Sequence, residues 1–220
     1  MKVCALVSGG KDSLMAAYKA SKEHQLVCLV AMKSRNPESY MFHIPNIELV
    51  KVQADVMGLP LIFWETEGIK EEELEDLKKA IEIAKTKYKI EGVVSGAIAS
   101  KYQKERVDKI CKDLGLQSIA PLWQTGIEVY IRELLRDFEI IITGIAADGL
   151  TKDDLGKKFD MVFTDKLKKL KVNLVGEGGE FETFVLNCPL FKKKIKIEEA
   201  EKKMENERTG QYLIKKVIVS

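Results

Sequence analysis

Six consecutive residues carry the first sign of chemistry: Ser8, Gly9, Gly10, Lys11, Asp12 and Ser13. Paired glycines let a chain turn tightly and bring its backbone against a ligand. Two hydroxyls, an ammonium and a carboxylate stand around that turn. The apolar run 3–7 before it reads as a buried strand, and Leu14, Met15, Ala17 and Tyr18 after it mark one face of a helix. The order strand, glycine turn, helix start gathers backbone N–H groups and the positive end of a helix dipole at one point, which makes an anion site. It is not a Walker A site. That pattern needs Gly where Ala5 stands and Ser or Thr where Asp12 stands, and no G-x-G-x-x-G spacing is present.

A second dense stretch is Gly176-Glu177-Gly178-Gly179-Glu180-Phe181-Glu182-Thr183. Its glycines free the backbone to approach a ligand. Its three carboxylates repel one another unless something positive meets them. An ammonium, a magnesium ion or a quaternary amine suits such a place; a solvated acidic turn ahead of a strand is the plain alternative.

The elements that must position these residues follow from periodicity. Apolar runs at 26–32, 61–64 and 92–97 read as further short strands, with 118–123 as a fifth. Between them lie amphipathic stretches: one from Pro45 that Gly58 stops, one through Leu74, Leu77, Ile81, Ala84 and Tyr88, and one through Val107, Ile110 and Leu114 with Ser100 and Gln103 as a capping box. Strands alternating with helices predict a parallel α/β sheet with helices on both faces, connected right-handedly. Ligands of such sheets sit beyond the carboxyl ends of the strands. Ser8, Met32 and Gly96 are all expected there, around one crevice.

The rest of the chain reads differently. Thr125 and Glu128 make another capping box, 138–145 is an apolar strand, Asp148-Gly149 turns the chain, and 151–171 reads as a charged helix. Period-two stretches at 194–197 and 212–219 read as antiparallel strands. This predicts a nucleotide-binding domain over 1–100 and a smaller α+β domain over 101–220, with a loose boundary.

Composition narrows the class. The 220 residues carry 36 Lys+Arg against 34 Asp+Glu, a net charge of +2, which argues for neither a nucleic-acid nor a membrane surface. Cys4, Cys28, Cys111 and Cys188 are widely spaced, with no C-x-x-C to suggest zinc or iron–sulfur; Cys4 and Cys28 read as small buried apolar groups. No signal segment and no 18-residue apolar run is apparent, so the expectation is a cytoplasmic protein.

The S-G-G-K-D-S run resembles the PP-loop of ATP pyrophosphatases, and the resemblance implies that ATP is cut between its α and β phosphates. It places Ser8, Gly9, Gly10, Lys11, Asp12 and Ser13 at the ATP, with the Lys11 ammonium neutralising charge on the leaving pyrophosphate. Asp12 either caps the helix or helps hold Mg2+ that comes with ATP; the metal ligands are otherwise unknown. Met32 and Ala97, beside Gly96, are candidates to pack on the adenine, or are core. His43, in the polar loop after the second strand, is a nucleotide contact or a surface residue. Tyr102 and Gln103 face the crevice or simply open their helix.

Three blocks together, Ser8 to Ser13, Ser95 to Gln103 with Arg106, and Gly176 to Thr183 with Cys188-Pro189, are similar to the diphthine–ammonia ligase (diphthamide synthase) family; the 40–46 loop also fits. That resemblance implies a HUP-type nucleotide domain followed by a small α+β domain. It implies ATP-dependent amidation of diphthine on translation elongation factor 2, with ammonium as nitrogen source, an acyl-adenylate intermediate, and AMP and pyrophosphate as products. Lys11, Glu177, Glu180, Glu182 and Thr183 are then the catalytic candidates, the glutamates selecting the trimethylammonium of diphthine or the incoming ammonium. Self-association stays open. The competing readings are a tRNA-modifying PP-loop enzyme and a non-catalytic ATP sensor; the missing C-x-x-C and near-neutral charge weigh against the first.

Overall fold

Five short hydrophobic runs of the first half become one parallel sheet: β1 (Lys2–Leu6), β2 (Gln25–Ser34), β3 (Leu61–Thr66), β4 (Gly92–Val94) and β5 (Gln117–Ile119), in the order β3-β2-β1-β4-β5. The computed structural model describes residues 1–36, 46–69 and 72–220. These fall into two units, Met1–Ser8 with Asp12–Gln124, and Gly9–Lys11 with Thr125–Ser220.

In the first unit, helices α1 (Lys11–Ser21), α2 (Val50–Met57), α3 (Glu72–Tyr88) and α4 (Lys101–Asp113) alternate with the strands. Period-two alternation splits the strand residues between two faces. Cys4, Cys28, Val30, Met32 and Val93 cluster with Leu77, Ala80, Ile81 and Ala84 of α3 and with Val107, Ile110 and Cys111 of α4. The intervening Val3, Ala5, Leu29 and Ala31 are equally buried, so the opposite face is covered too. Right-handed crossovers in this strand order send α1 and α2 to that second face and α3 and α4 to the first. This is the expected fold class. Strand order reverses between β1 and β4, the place where sheets of this kind take a ligand.

Local signals mostly act as expected. Gly58 ends α2 in the left-handed region at φ 68. Ser100 accepts the Gln103 N–H at the start of α4. A 3-10 turn, Ile47–Leu49, precedes α2, and Pro45 lies outside the described residues. The expected boundary near residue 100 moves to 124/125. The reason is pairing: β5 bonds in register to β4, which keeps α4 and β5 with the first sheet.

The second unit holds α5 (Ile127–Asp137), β6 (Glu139–Ala146), α6 (Met161–Leu170), β7 (Phe181–Asn187), β8 (Ile195–Met204) and β9 (Thr209–Val219), with an antiparallel sheet ordered β7-β6-β9-β8. Two expectations fail here. Gly126, not Thr125, is the N-cap of α5, and no side chain caps it. The helix expected over 151–171 forms only from Met161, where Asp160 accepts the Phe163 N–H at 2.9 Å. Ahead of it Gly156 takes φ 77, and residues 156–159 bond to β6 instead: Gly156 N–H to the Ile142 carbonyl at 2.8 Å and Ile142 N–H to that of Lys157 at 2.9 Å. A backbone engaged with a strand cannot also close helical turns. Among the described residues no helix is long and apolar enough to cross a membrane.

Candidate functional site

In the first unit the turn after β1 is held by its own hydroxyls. The Ser8 N–H donates to Ser13 Oγ at 3.2 Å, and the two hydroxyl oxygens are also 3.2 Å apart. Gly9 sits at φ 85, which L side chains avoid. The turn after β4 lies against the first turn of α1. A Cβ on Gly96 would stand 2.8 Å from the Ser13 nitrogen and 2.9 Å from its Cα, so only glycine permits that approach. Beside it Ser95 is buried, and its hydroxyl has no hydrogen-bond partner among the described residues. Buried hydroxyls normally have one, so Ser95 is an exception to that rule.

The other expected contacts sort themselves by placement. Met32 is 5% exposed within the core cluster under α3, where packing accounts for it: it falls on the same strand face as Cys28 and Val30. Ala97 is likewise buried. Tyr102 has the Arg106 guanidinium 3.3 Å from its ring centre, so one ring face is taken by a cation–π contact. Gln103 is exposed and contributes its backbone N–H to the cap. Asp12 lies within the first turn of α1, where a carboxylate meets the positive end of the helix dipole, and not at the cap. His43 lies outside the described residues.

In the second unit, residues 9–11 meet the 175–185 segment. The Lys11 N–H donates to Thr183 Oγ1 at 3.2 Å, and the Val185 N–H donates to the Gly9 carbonyl at 3.1 Å. The Lys11 ammonium donates to the Val175 carbonyl and stands 5.3 Å from the centre of the Phe181 ring. Lys11 is only 3% exposed. The ammonium expected to neutralise phosphate is therefore directed toward a carbonyl and an aromatic face within its own unit. Phe181 and Thr183 alternate along β7, so one strand face supplies both side-chain contacts, while Val185 contributes its backbone N–H at the strand edge. Phe181 is itself wedged against Phe159 and Phe163, with centroids 5.8 and 5.7 Å away.

The three glutamates are not one cluster. Glu177 is exposed at the turn. Glu180 folds back so that Oε2 accepts the Gly178 N–H at 2.9 Å, while its own carbonyl accepts the Ala146 N–H at 2.8 Å. Glu182 alternates with Thr183 and lies over Gly144, whose missing side chain makes the room: a Cβ there would stand 2.9 Å from that of Glu182. Gly176 at φ 76 and Gly179 at φ 78 shape the turn, and Asn173 braces it by accepting the Val175 N–H at 2.8 Å.

Sequence reasoning passed over Ser95, Val175, Val185 and Asn173. Two of these act through backbone atoms, which no residue type announces. Ser95 was visible in its motif, but only burial marks its hydroxyl as unmatched.

Among the described residues no group of three or more metal-ligating side chains occurs. A magnesium ion borne by ATP asks for less, one or two carboxylates beside the phosphates, and Asp12 with the Ser8 and Ser13 hydroxyls fits that need.

Comparison with known proteins spans the same two units. Residues 1–118 match the profile of the diphthamide synthase N-terminal domain, and residues 126–219 that of the diphthamide synthase C-terminal domain. The chain is similar to a diphthine–ammonia ligase of Rattus norvegicus, 39% identical with 91% of this chain and 84% of that one covered. It is also similar to the diphthine–ammonia ligase of Homo sapiens, at 37% identity with the same shares covered. A solved structure described as a predicted subunit of tRNA methyltransferase from Methanocaldococcus jannaschii overlaps with a TM-score of 0.47 at 18% identity, covering 86% of this chain and 98% of that one, too loosely to bear on function.

Proposed function

The chain belongs to the diphthamide synthase family, and from that premise we propose that it uses ATP and ammonium to convert the carboxylate of diphthine, on translation elongation factor 2, into the amide. The observation that carries the reading is the match of both family domains, in order, over nearly the whole chain. The S-G-G-K-D-S turn at a helix start supports ATP as the energy source.

A carboxylate resists attack because its charge spreads over both oxygens. Joining it to AMP removes that charge and installs a good leaving group. In the proposed first step a diphthine oxygen attacks the α-phosphorus, the α–β bridge breaks, and pyrophosphate leaves. The Gly9-Gly10 turn, the Ser8 and Ser13 hydroxyls and the α1 dipole hold the departing phosphates, and Ser95 adds a hydroxyl donor at the neighbouring strand end. Magnesium, when bound with ATP, shields phosphate charge. Ammonia, having lost its fourth proton, then attacks the acyl carbon; the tetrahedral oxyanion collapses, AMP leaves, and a further proton departs from nitrogen. Glu177 and Glu180 provide the negative field suited to a trimethylammonium or an ammonium. Glu182, set on the other face of β7 from Thr183, contributes least in this account.

The test is mass spectrometry of the modified histidine on unamidated elongation factor 2 after incubation with this protein, ATP and ammonium. The reading expects the mass of the amide, AMP in equal amount, and neither product when ammonium is left out. AMP formed with tRNA and not with the factor favours a tRNA-modifying enzyme; ATP bound without turnover in any mixture favours a sensor. Glu177→Ala, Glu180→Ala and Glu182→Ala, assayed separately, test the carboxylates: unchanged amidation in all three removes them from the mechanism.

A further inference from the structure

We infer that Lys11 is a positioning residue, whose ammonium ties the glycine turn to the 175–185 segment and does not bind phosphate. The inference rests on the reaction proposed above and assigns one of its residues a different task.

Three contacts carry it. A stretch of three residues, 9–11, grips both ends of the glycine-rich segment. At the far end the Gly9 carbonyl receives the Val185 N–H and the Lys11 N–H reaches the Thr183 hydroxyl. At the near end the Lys11 side chain spans to the Val175 carbonyl. Between these anchors lie the two glycines in left-handed conformation, Gly176 and Gly179, which give the segment freedom that something must restrain. The ammonium also faces the Phe181 ring, and that ring is fixed by Phe159 and Phe163. A desolvated cation over an aromatic face is held more firmly than an exposed one. With 3% of its surface exposed, the side chain is buried where these contacts are made. Phosphate binding by this turn then falls to backbone N–H groups, hydroxyls and the helix dipole. Within the second unit, Lys11 makes the carboxylate-bearing segment hold its shape.

The test is Lys11→Met, which keeps the length and apolar stem and removes the donor and the charge. The inference expects ATP KM within about threefold of wild type and kcat down about tenfold or more, because an alignment made for the transition state is lost while ground-state binding survives. It also expects faster hydrogen exchange at amides 176–181, a readout that needs no turnover. Phe181→Leu, which leaves the turn's own residues intact, should show the same split. ATP KM raised about tenfold with kcat unchanged, exchange unaltered and Phe181→Leu like wild type would overturn it in favour of direct phosphate binding. If wild type forms no AMP, the proposed reaction fails while the exchange measurement still judges Lys11.

Discussion

The Thr183 hydroxyl accepts a hydrogen bond from the Lys11 backbone N–H at 3.2 Å, joining residues 172 positions apart. The contact is buried, and within the second unit it ties residues 9–11 to β7. Thr183→Val keeps the branched shape and removes the acceptor. A buried donor deprived of its partner costs about 1–3 kcal/mol, equivalent to about tenfold or more if it is felt in the transition state. AMP release in the amidation assay should fall by about that factor, and Thr183→Ser should restore most of it. Wild-type rates in Thr183→Val would remove the hydroxyl from the account.

Gly96 offers a steric test. Its missing side chain would meet Ser13 backbone atoms at 2.8 and 2.9 Å, and backbone in a helix turn cannot swing aside. Gly96→Ala should cost about 1–3 kcal/mol of overpacking strain and weaken ATP binding by about tenfold, read by calorimetric titration. Gly126→Ala is the control: nothing lies within 4 Å of the added Cβ, so binding should not change. Equal affinity in the two variants would show that the β4 turn does not support the nucleotide turn.

How far the sequence revealed these relationships depends on what each one is made of. The strand–glycine–helix order at 3–18 and the 3.6-residue rhythm through Leu77, Ile81 and Ala84 are local, so the parallel sheet and the glycine turn ahead of α1 could be read directly. The Gly126 cap and the late start of α6 could not. Thr125 and Glu128 have the right spacing for a box, but the chain enters α5 at Gly126; the spaced apolar residues of 151–171 suggested one helix, but β6 offers the backbone of 156–159 its partners. The Lys11 side chain shows the same limit at the site. Its charge and its place in the motif suggested phosphate, and only the fold shows that a carbonyl 164 residues away receives it.

Asp154 should make the second unit sensitive to acid. It is 2% exposed; burial opposes its charge, but the Lys166 ammonium at 2.6 Å and the Thr151 N–H at 2.8 Å outweigh that and hold the carboxyl below its ordinary 3.8. A folded-state value below the unfolded one means that the stabilisation is present above about pH 4 and is lost as pH falls through the folded value. Asp154→Asn should lose about 2 kcal/mol at pH 7, by urea unfolding, with the gap to wild type closing below pH 3.8. A gap that does not vary with pH would contradict the ion-pair account.

All four cysteines are buried and free. Burial, with Asp108 adding to it, pushes the Cys111 thiol up to about 11, and burial pushes Cys188 up to about 12. A hydrogen bond with the Cys28 thiol, then burial, raises Cys4 well above the ordinary thiol value. At pH 8 about one Cys111 in a thousand is thiolate, the reactive form. A thiol reagent should leave the native protein untouched over minutes and label four groups in denaturant. Rapid native labelling would contradict the packing under α4 or around β7.

The central claim is that the turn at residues 8–13 holds ATP so that its α-phosphorus is the atom attacked. ATP labelled at the α-phosphate, incubated with the protein, ammonium and diphthine-bearing elongation factor 2, measures this directly. The account predicts that the label appears in AMP, one for each amide formed. Label recovered in ADP, with orthophosphate as the other product, would contradict it.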